Sequence, residues 1–351
     1  MIVEALDARS LPAYLVDRGL VADLATVKAR PLTGGVSNTV FLVETDTARW
    51  VVKQSLPRLA VADEWLAKQE RLLTEGAALE LAGKLLPGIG PEVVDMDHDR
   101  FVLVMTAAPA EWVTWKEHLL SGRVDGGVAR FLGAALGACH ARTTGDAEVA
   151  ARFNDMEAFE QLRVDPYYRT VARRRPELAP AIDALIERML ATHTCLVHGD
   201  YSPKNILVGA RAGAGSGAGA GPASPEGAGP WVLDWEVAHV GDPAFDLGFM
   251  TSHLVLKAVH QPALGMELRG CVDALWAAYF EANTGPSRPD ADHVLAHLGA
   301  LLVSRVHGKS PVEYLGDEGR GRAAGLGADL LCGRLSSLED VWSSVGSAGA
   351  R

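Results

Sequence analysis

The stretch LVHGDYSPKNILV, residues 196–208, constrains this chain more than any other. His198-Gly199-Asp200 is followed five residues later by Asn205, and then at once by the apolar run Ile206-Leu207-Val208, which reads as a strand. Asp and Asn both favour turns, so this pattern alone is compatible with ordinary turn chemistry. A second stretch, VLDWEVAHVGDPAFDLGF at 232–249, places Asp234 at the end of another apolar run, Trp231-Val232-Leu233. A hard divalent cation such as Mg²⁺ takes oxygen ligands. Asn205 and Asp234 supply two, and Glu236 a third, directly or through water. Asp200 beside them would face a hydroxyl and accept its proton.

Between the two apolar runs lies 210–230, built almost entirely of Gly, Ala, Ser and Pro. Such a segment packs no core, so a flexible surface loop at a hairpin tip is expected. The chain has 351 residues, which suggests about two domains. It is 48% hydrophobic and 22% charged, values that exclude wholesale disorder. A formal net charge of −11 speaks against nucleic acid or an anionic membrane as the main partner and is compatible with a cationic substrate. Cys139, Cys195, Cys271 and Cys332 are too far apart for a CxxC or zinc-ribbon pattern. Their use fits a reducing compartment, so a cytoplasmic protein is expected. The acidic start MIVEALDARSLPAYLVDRGL is unlike a basic signal peptide, and no apolar run has the ~18 residues of a membrane span.

Ser10 to Gly19 reads as a short helix. Strands are expected at Val27–Leu32, Thr39–Glu44 and Arg49–Val52, the last two as a hairpin across Thr45-Asp46-Thr47. Asp63–Lys84 shows helical spacing, and Pro91–Asp95 with Phe101–Met105 reads as two further strands. The fold class is therefore α+β: a small antiparallel sheet with one helix over 1–107, then a mostly helical part over 108–351.

The Asp200-x4-Asn205 spacing matches the catalytic loop of protein kinases, and Asp234 matches their later metal-binding Asp. HGD-x4-N followed by LDWE and GDPAFDL resembles the aminoglycoside phosphotransferase family, which also takes in choline kinase-like and methylthioribose kinase-like enzymes. The resemblance spans roughly Leu32 to Tyr314. It implies a protein-kinase-like fold of two lobes and an ATP- and Mg²⁺-dependent transfer of phosphate to a hydroxyl of a small metabolite: a sugar, an aminoglycoside or an amino alcohol. Asp200 is then the catalytic base, with Asn205 and Asp234 as metal ligands. Gly199 stands where protein kinases have Arg, which favours a small acceptor over a protein. Lys53 ends the run TARWVVK, as the nucleotide lysine does in kinases, and Glu75 of EGAAL is its expected helix partner, with Glu70 as the alternative. Thr33-Gly34-Gly35-Val36-Ser37-Asn38 lies where a phosphate-covering loop belongs, with Gly34, Gly35, Ser37 and Asn38 as contacts. Val104-Met105-Thr106-Ala107 is the expected hinge, with the backbone of Met105 and Ala107 meeting adenine.

The run Arg305-Val306-His307-Gly308-Lys309-Ser310-Pro311-Val312-Glu313 carries a helix stop at Gly308 and an apparent capping box at Ser310 and Glu313. Arg305, His307 and Lys309 are left over, and an anionic part of the substrate is one use for them. His253 and Lys257 are weaker candidates for the same pocket. An aminoglycoside would instead need carboxylates there. The partner is thus a small hydroxyl-bearing acceptor, not nucleic acid or membrane, met by a monomer or homodimer. The alternative from another class is a catalytically silent, kinase-like nucleotide-binding regulatory module.

Overall fold

The computed structural model describes residues 5–32, 38–55, 68–209 and 229–346. The N-terminal region is a five-stranded antiparallel sheet of β1 (Lys28–Pro31), β2 (Asn38–Glu44), β3 (Arg49–Ser55), β4 (Val93–Asp97) and β5 (Val102–Thr106), in the order β1-β2-β3-β5-β4. Helix α1 (Leu11–Asp17) covers one face and α2 (Arg71–Leu85) the other. Side-chain alternation sorts the sheet between them. Val52, Val102 and Val104 pack with Leu11, Tyr14 and Leu15 of α1, while Leu103 and Met105 pack with Leu72, Ala78 and Leu79 of α2. Lys53 follows Val52 and so points to the α2 side. A Cβ at Gly76 would lie 2.6 Å from Met96 Sδ and 3.2 Å from Leu103 Cδ1, so a glycine lets α2 approach the sheet closely.

The expected helix over 63–84 starts only at Arg71; residues 63–67 lie outside the described residues. Gly19, at φ +70°, ends the first helical segment as expected.

The C-terminal part is mostly helical. It holds β6 (Val113–Thr114), α3 (Trp115–Leu120), α4 (Gly126–Thr143), α5 (Ala147–Arg152), α6 (Glu157–Phe159) and α7 (Thr170–Arg174). Glu160–Arg169, between α6 and α7, is a π-helix. Next come α8 (Ala179–Ala191), β7 (Cys195–Val197), β8 (Ile206–Val208), β9 (Trp231–Val232), β10 (His239–Gly241), α9 (Pro243–His260), α10 (Gly265–Ala282), α11 (Ala291–His307), α12 (Asp317–Leu331) and α13 (Leu338–Gly346). β8 pairs antiparallel with β9, Ile206 opposite Val232, so the two apolar runs flanking 210–228 are hairpin arms; those residues themselves lie outside the described ones. β7 pairs with β10, Val197 opposite His239. β6, β7 and β10 are two or three residues long, too short to show a period in the sequence.

The capping box expected at Ser310 does not form. No helix begins between Gly308 and Asp317, and Arg305 Nη1 instead donates to the Ser310 hydroxyl and carbonyl. Gly308 does stop α11, as expected. Among the described residues, no helix is long and apolar enough to cross a membrane.

Candidate active site

The two short antiparallel pairs, β7 with β10 and β8 with β9, set the loop that carries Asp200 and Asn205. Asp246, in the first turn of α9, accepts from the His198 N–H at 2.6 Å and the Gly199 N–H at 2.8 Å. Gly199 sits at φ +76°, and a Cβ there would lie 2.8 Å from the Val237 carbonyl oxygen. An arginine does not fit that position. His198 braces the loop: its Nε2 is 2.9 Å from the Leu233 carbonyl oxygen and its Nδ1 accepts from the Asp200 N–H at 3.1 Å. These bonds hold Asp200 and Asp234 in one frame.

Asp200 is buried, and its two carboxylate oxygens differ. Oδ2 is 2.6 Å from Arg163 Nη2 and 2.9 Å from Lys204 Nζ, and accepts from Asn205 Nδ2 at 2.8 Å. Oδ1 is buried with no hydrogen-bond partner among the described residues, as is the Ser202 hydroxyl. Burial works against the Asp200 charge, but Arg163 and Lys204 outweigh it and hold its carboxyl below the usual carboxylate range. Arg163 was invisible in the sequence. It comes from the π-helix, where its Nε also donates to the Gly199 carbonyl at 3.1 Å. Nothing in QLRVDPYYR marks that arginine as different from a solvated one.

Asn205 uses its amide N–H₂ on the Asp200 carbonyl and carboxylate, which fixes its carbonyl oxygen as the outward atom. Asp234 adopts φ +68°, a left-handed conformation that Asp tolerates better than most residues. Its Oδ1 takes the Lys53 ammonium at 2.9 Å. Burial opposes its charge, and Lys53 with Lys204 holds the carboxyl well below the carboxylate range. An amide oxygen and a carboxylate oxygen from two neighbouring strand ends form a donor set that fits Mg²⁺.

Lys53 Nζ lies 2.7 Å from Glu75 Oε2. Glu70 caps α2 without a side-chain capping bond, so Glu75 is the helix partner. Burial disfavours the Lys53 charge, yet Asp234 and Glu75 raise it above an ordinary lysine. Burial pushes Glu75 up, to about 7, against the pull of Lys53.

Glu236 sits beside Asp234: one carboxylate oxygen from each of Glu75, Asp234 and Glu236 lies within 4.8 Å of the others. Glu236 Oε2 accepts from Arg71 Nε at 3.2 Å and from Asn38 Nδ2 at 3.0 Å. Asn38, expected in a phosphate loop, thus joins β2 to the segment after β9. Gly34, Gly35 and Ser37 lie outside the described residues. Met105 is a buried strand residue, and the Ala107 N–H donates to the Arg49 carbonyl at 3.0 Å, so that donor serves the sheet.

The basic run does not act as one surface. Arg305 is near the catalytic loop: its Nη1 is 3.4 Å from the Tyr167 hydroxyl, and the Arg163 guanidinium lies 6.0 Å from the Tyr167 ring centre. His307 meets Arg175 at 2.9 Å, and Lys309 pairs with Asp165 at 3.2 Å. His253 is buried one turn before Lys257 on α9.

An antiparallel sheet carrying a Lys–Glu pair, set against a helical part with an Asp–Asn loop, defines a protein-kinase-like fold. The pattern of the phosphotransferase enzyme family matches residues 28–221. The chain belongs to that family. Among solved structures it is similar to choline kinase from Cryptosporidium parvum, with TM-score 0.56, 12% identity, and 97% of this chain and 99% of that chain covered. It is also similar to the amicoumacin kinase hAmiN, with TM-score 0.55, 13% identity, and 93% and 96% covered. A choline/ethanolamine kinase family protein from Mesorhizobium loti gives TM-score 0.51 at 18% identity, with 97% and 99% covered. At these identities the likeness is one of fold. No curated protein sequence matches.

Proposed function

We propose that this chain is an ATP- and Mg²⁺-dependent kinase that moves the γ-phosphoryl group to a hydroxyl of a small metabolite. The observation that carries this reading is the divided Asp200 carboxylate: Oδ2 is held by three partners while buried Oδ1 has none. A buried acceptor atom without a donor calls for one, and an alcohol supplies it.

In this reading residues 1–107 form the nucleotide lobe and 108–351 the catalytic lobe, in a cytoplasmic enzyme. Lys53, fixed by Glu75, holds the α- and β-phosphates. Asn205 and Asp234 would hold Mg²⁺, which when bound neutralises phosphate charge. The hAmiN complex contains AMP-PNP and Ca²⁺, in keeping with a nucleotide and a divalent cation at such a fold. Asp200 Oδ1 accepts the hydrogen bond of the incoming hydroxyl and aims its oxygen. A carboxyl held below its usual range is a weak base, so Asp200 orients early and takes the proton late, as the new P–O bond forms. Positioning and charge neutralisation then supply most of the rate.

Incubation of the full chain with Mg²⁺-ATP and a panel of small alcohols tests this. Acceptor-dependent ADP release is expected. Tight nucleotide binding with no ADP release from any acceptor would instead favour a silent nucleotide-binding module.

A further inference from the structure

Two basic side chains beside the Asp200 loop have no counter-ion among the described residues. Lys257 is fully buried on α9, and among the described residues no carboxylate lies within ion-pair distance of it. Its Nζ reaches only the His253 carbonyl, at 3.4 Å, and the Tyr314 ring, 5.5 Å away. A buried ammonium without a carboxylate is costly, and burial with the charges of Lys116 and Arg305 pulls Lys257 down to about 7, so an arriving anion is what would keep it fully protonated. Arg305 is half-buried and likewise has no carboxylate partner. Tyr167 and Ser310 hold its Nη1 through neutral oxygens. Its Nε is buried with no partner, and no bond is made at Nη2 among the described residues. The Nε–Nη2 edge is the one that grips a carboxylate or phosphate with two parallel bonds. The Tyr314 hydroxyl is a further buried atom without a partner.

The cluster borders Asp200. Arg163 bridges from Asp200 to Tyr167, whose hydroxyl meets Arg305. The Tyr167 ring lies 6.0 Å from Phe249, and Phe249 lies 5.1 Å from His253, one turn before Lys257. Lys116 stands nearby and is paired with Glu313. Arg163 and Lys204 are answered by Asp200 and Asp234, whereas Lys257 faces Lys116 and Arg305 with Glu313 as the carboxylate acting on it, so the excess of positive charge lies at Lys257 and Arg305. Burial, and then the charges of Lys257, Arg305, Lys204 and Lys116, hold the His253 imidazole well below its ordinary value, which reports the same positive field. The acidic balance of the whole chain is reversed at this spot.

We propose that the hydroxyl acceptor carries an anionic group, a carboxylate or a phosphate, bound by the free edge of Arg305 and by Lys257. This rests on the kinase reading above and narrows it. Amino alcohols and aminoglycosides are disfavoured, because their ammonium groups would meet unpaired cations.

The test uses the full chain, loaded with Mg²⁺-ADP for thermal unfolding and supplied with Mg²⁺-ATP for acceptor-dependent ADP release, as separate readouts. The probes are gluconate, malate and glycerol 3-phosphate against sorbitol, choline and spectinomycin, with sodium chloride matching ionic strength. At least one anion is expected to raise Tm by several degrees, and Arg305→Ala is expected to remove most of that shift. Arg305→Lys and Lys257→Met, which keep charge and volume respectively, should each weaken it. Where an anion is also phosphorylated, Arg305→Ala should raise KM at least tenfold while kcat stays within about threefold. Anion shifts no larger than the salt control, or shifts that survive Arg305→Ala, overturn the proposal. So does phosphorylation of choline or spectinomycin that is insensitive to Arg305→Ala, although the kinase reading then stands. Arg305-dependent anion binding with no ADP release from any acceptor supports the anion site and contradicts the kinase reading.

Discussion

Arg163 Nη2 lies 2.6 Å from Asp200 Oδ2, and this contact turns a symmetric carboxylate into one with a single waiting oxygen. The arginine arrives from a π-helix, a form that is rare and clusters at functional sites. Its absence would leave the Asp200 charge buried beside Lys204 and Asn205 alone. Arg163→Met is expected to lower kcat about tenfold to a hundredfold with little change in the KM for ATP. Its Asp200 carboxyl should rise toward ordinary values, so the acid limb of the pH–rate profile should move to higher pH. Arg163→Lys should restore part of both. Steady-state ADP release across pH measures the effect. An unchanged profile would contradict the role given to Arg163.

The Lys53–Glu75 pair makes a second prediction. Glu75→Gln keeps the shape of the side chain and removes the charge that fixes Lys53. Lys53 should then lean toward Asp234 alone, and kcat/KM for ATP should fall about tenfold or more. Lys53→Met should fall further. Far-UV circular dichroism of both variants should match the wild type, since α2 packs through Leu72, Ala78 and Leu79 rather than through the pair.

Asp200, Asn205, Asp234, Lys53 and Glu75 were legible in the sequence because each lies inside a local pattern: a loop, a strand end or a helix turn. The sheet was legible from the apolar runs at 39–44, 49–52 and 101–105 and from the polar turn at Thr45-Asp46-Thr47. What was not legible depends on three-dimensional placement. Arg163 meets Asp200 only through tertiary packing. Arg305, His307 and Lys309 are neighbours in sequence, but α11 ends at His307 and the chain turns at Gly308, so they part to three different partners. Asn38 and Glu236 also share Arg71 across β2, α2 and the segment after β9, a link that no local pattern shows.

A buried Asp–His–His group ties α9 to α11 away from the catalytic loop. Asp242 Oδ2 lies 2.5 Å from His293 Nε2 and 3.5 Å from His297 Nε2, and Tyr168 meets His297 at 2.8 Å. Asp242 also caps α9. His293→Ala should cost about 2–3 kcal/mol, the scale of a buried hydrogen bond to a charged group. Chemical denaturation would show it as a lower midpoint with the same slope, while turnover at low temperature stays near wild type.

Acid should destabilise the fold. Burial holds His198, His239, His253 and His297 below the ordinary histidine value, with His239 at about 4. The stability these histidines contribute is full above about pH 6.5 and is lost as pH falls toward 4, with Glu75, raised to about 7, offsetting part of the loss between about pH 7 and 4.5. His239 alone accounts for about 3 kcal/mol across that window. Thermal melts from pH 7.5 to 4.5 should show a falling Tm, and His239→Gln should flatten the slope if it folds.

The central claim is that the free oxygen of Asp200 receives a hydroxyl while the nucleotide is held elsewhere. Asp200→Asn keeps the size of the side chain and removes its charge. In parallel measurements on this variant, acceptor-dependent ADP release should drop by at least a hundredfold while the dissociation constant for Mg²⁺-ATP stays within a few-fold of wild type. Turnover that persists near the wild-type rate in Asp200→Asn would contradict the account.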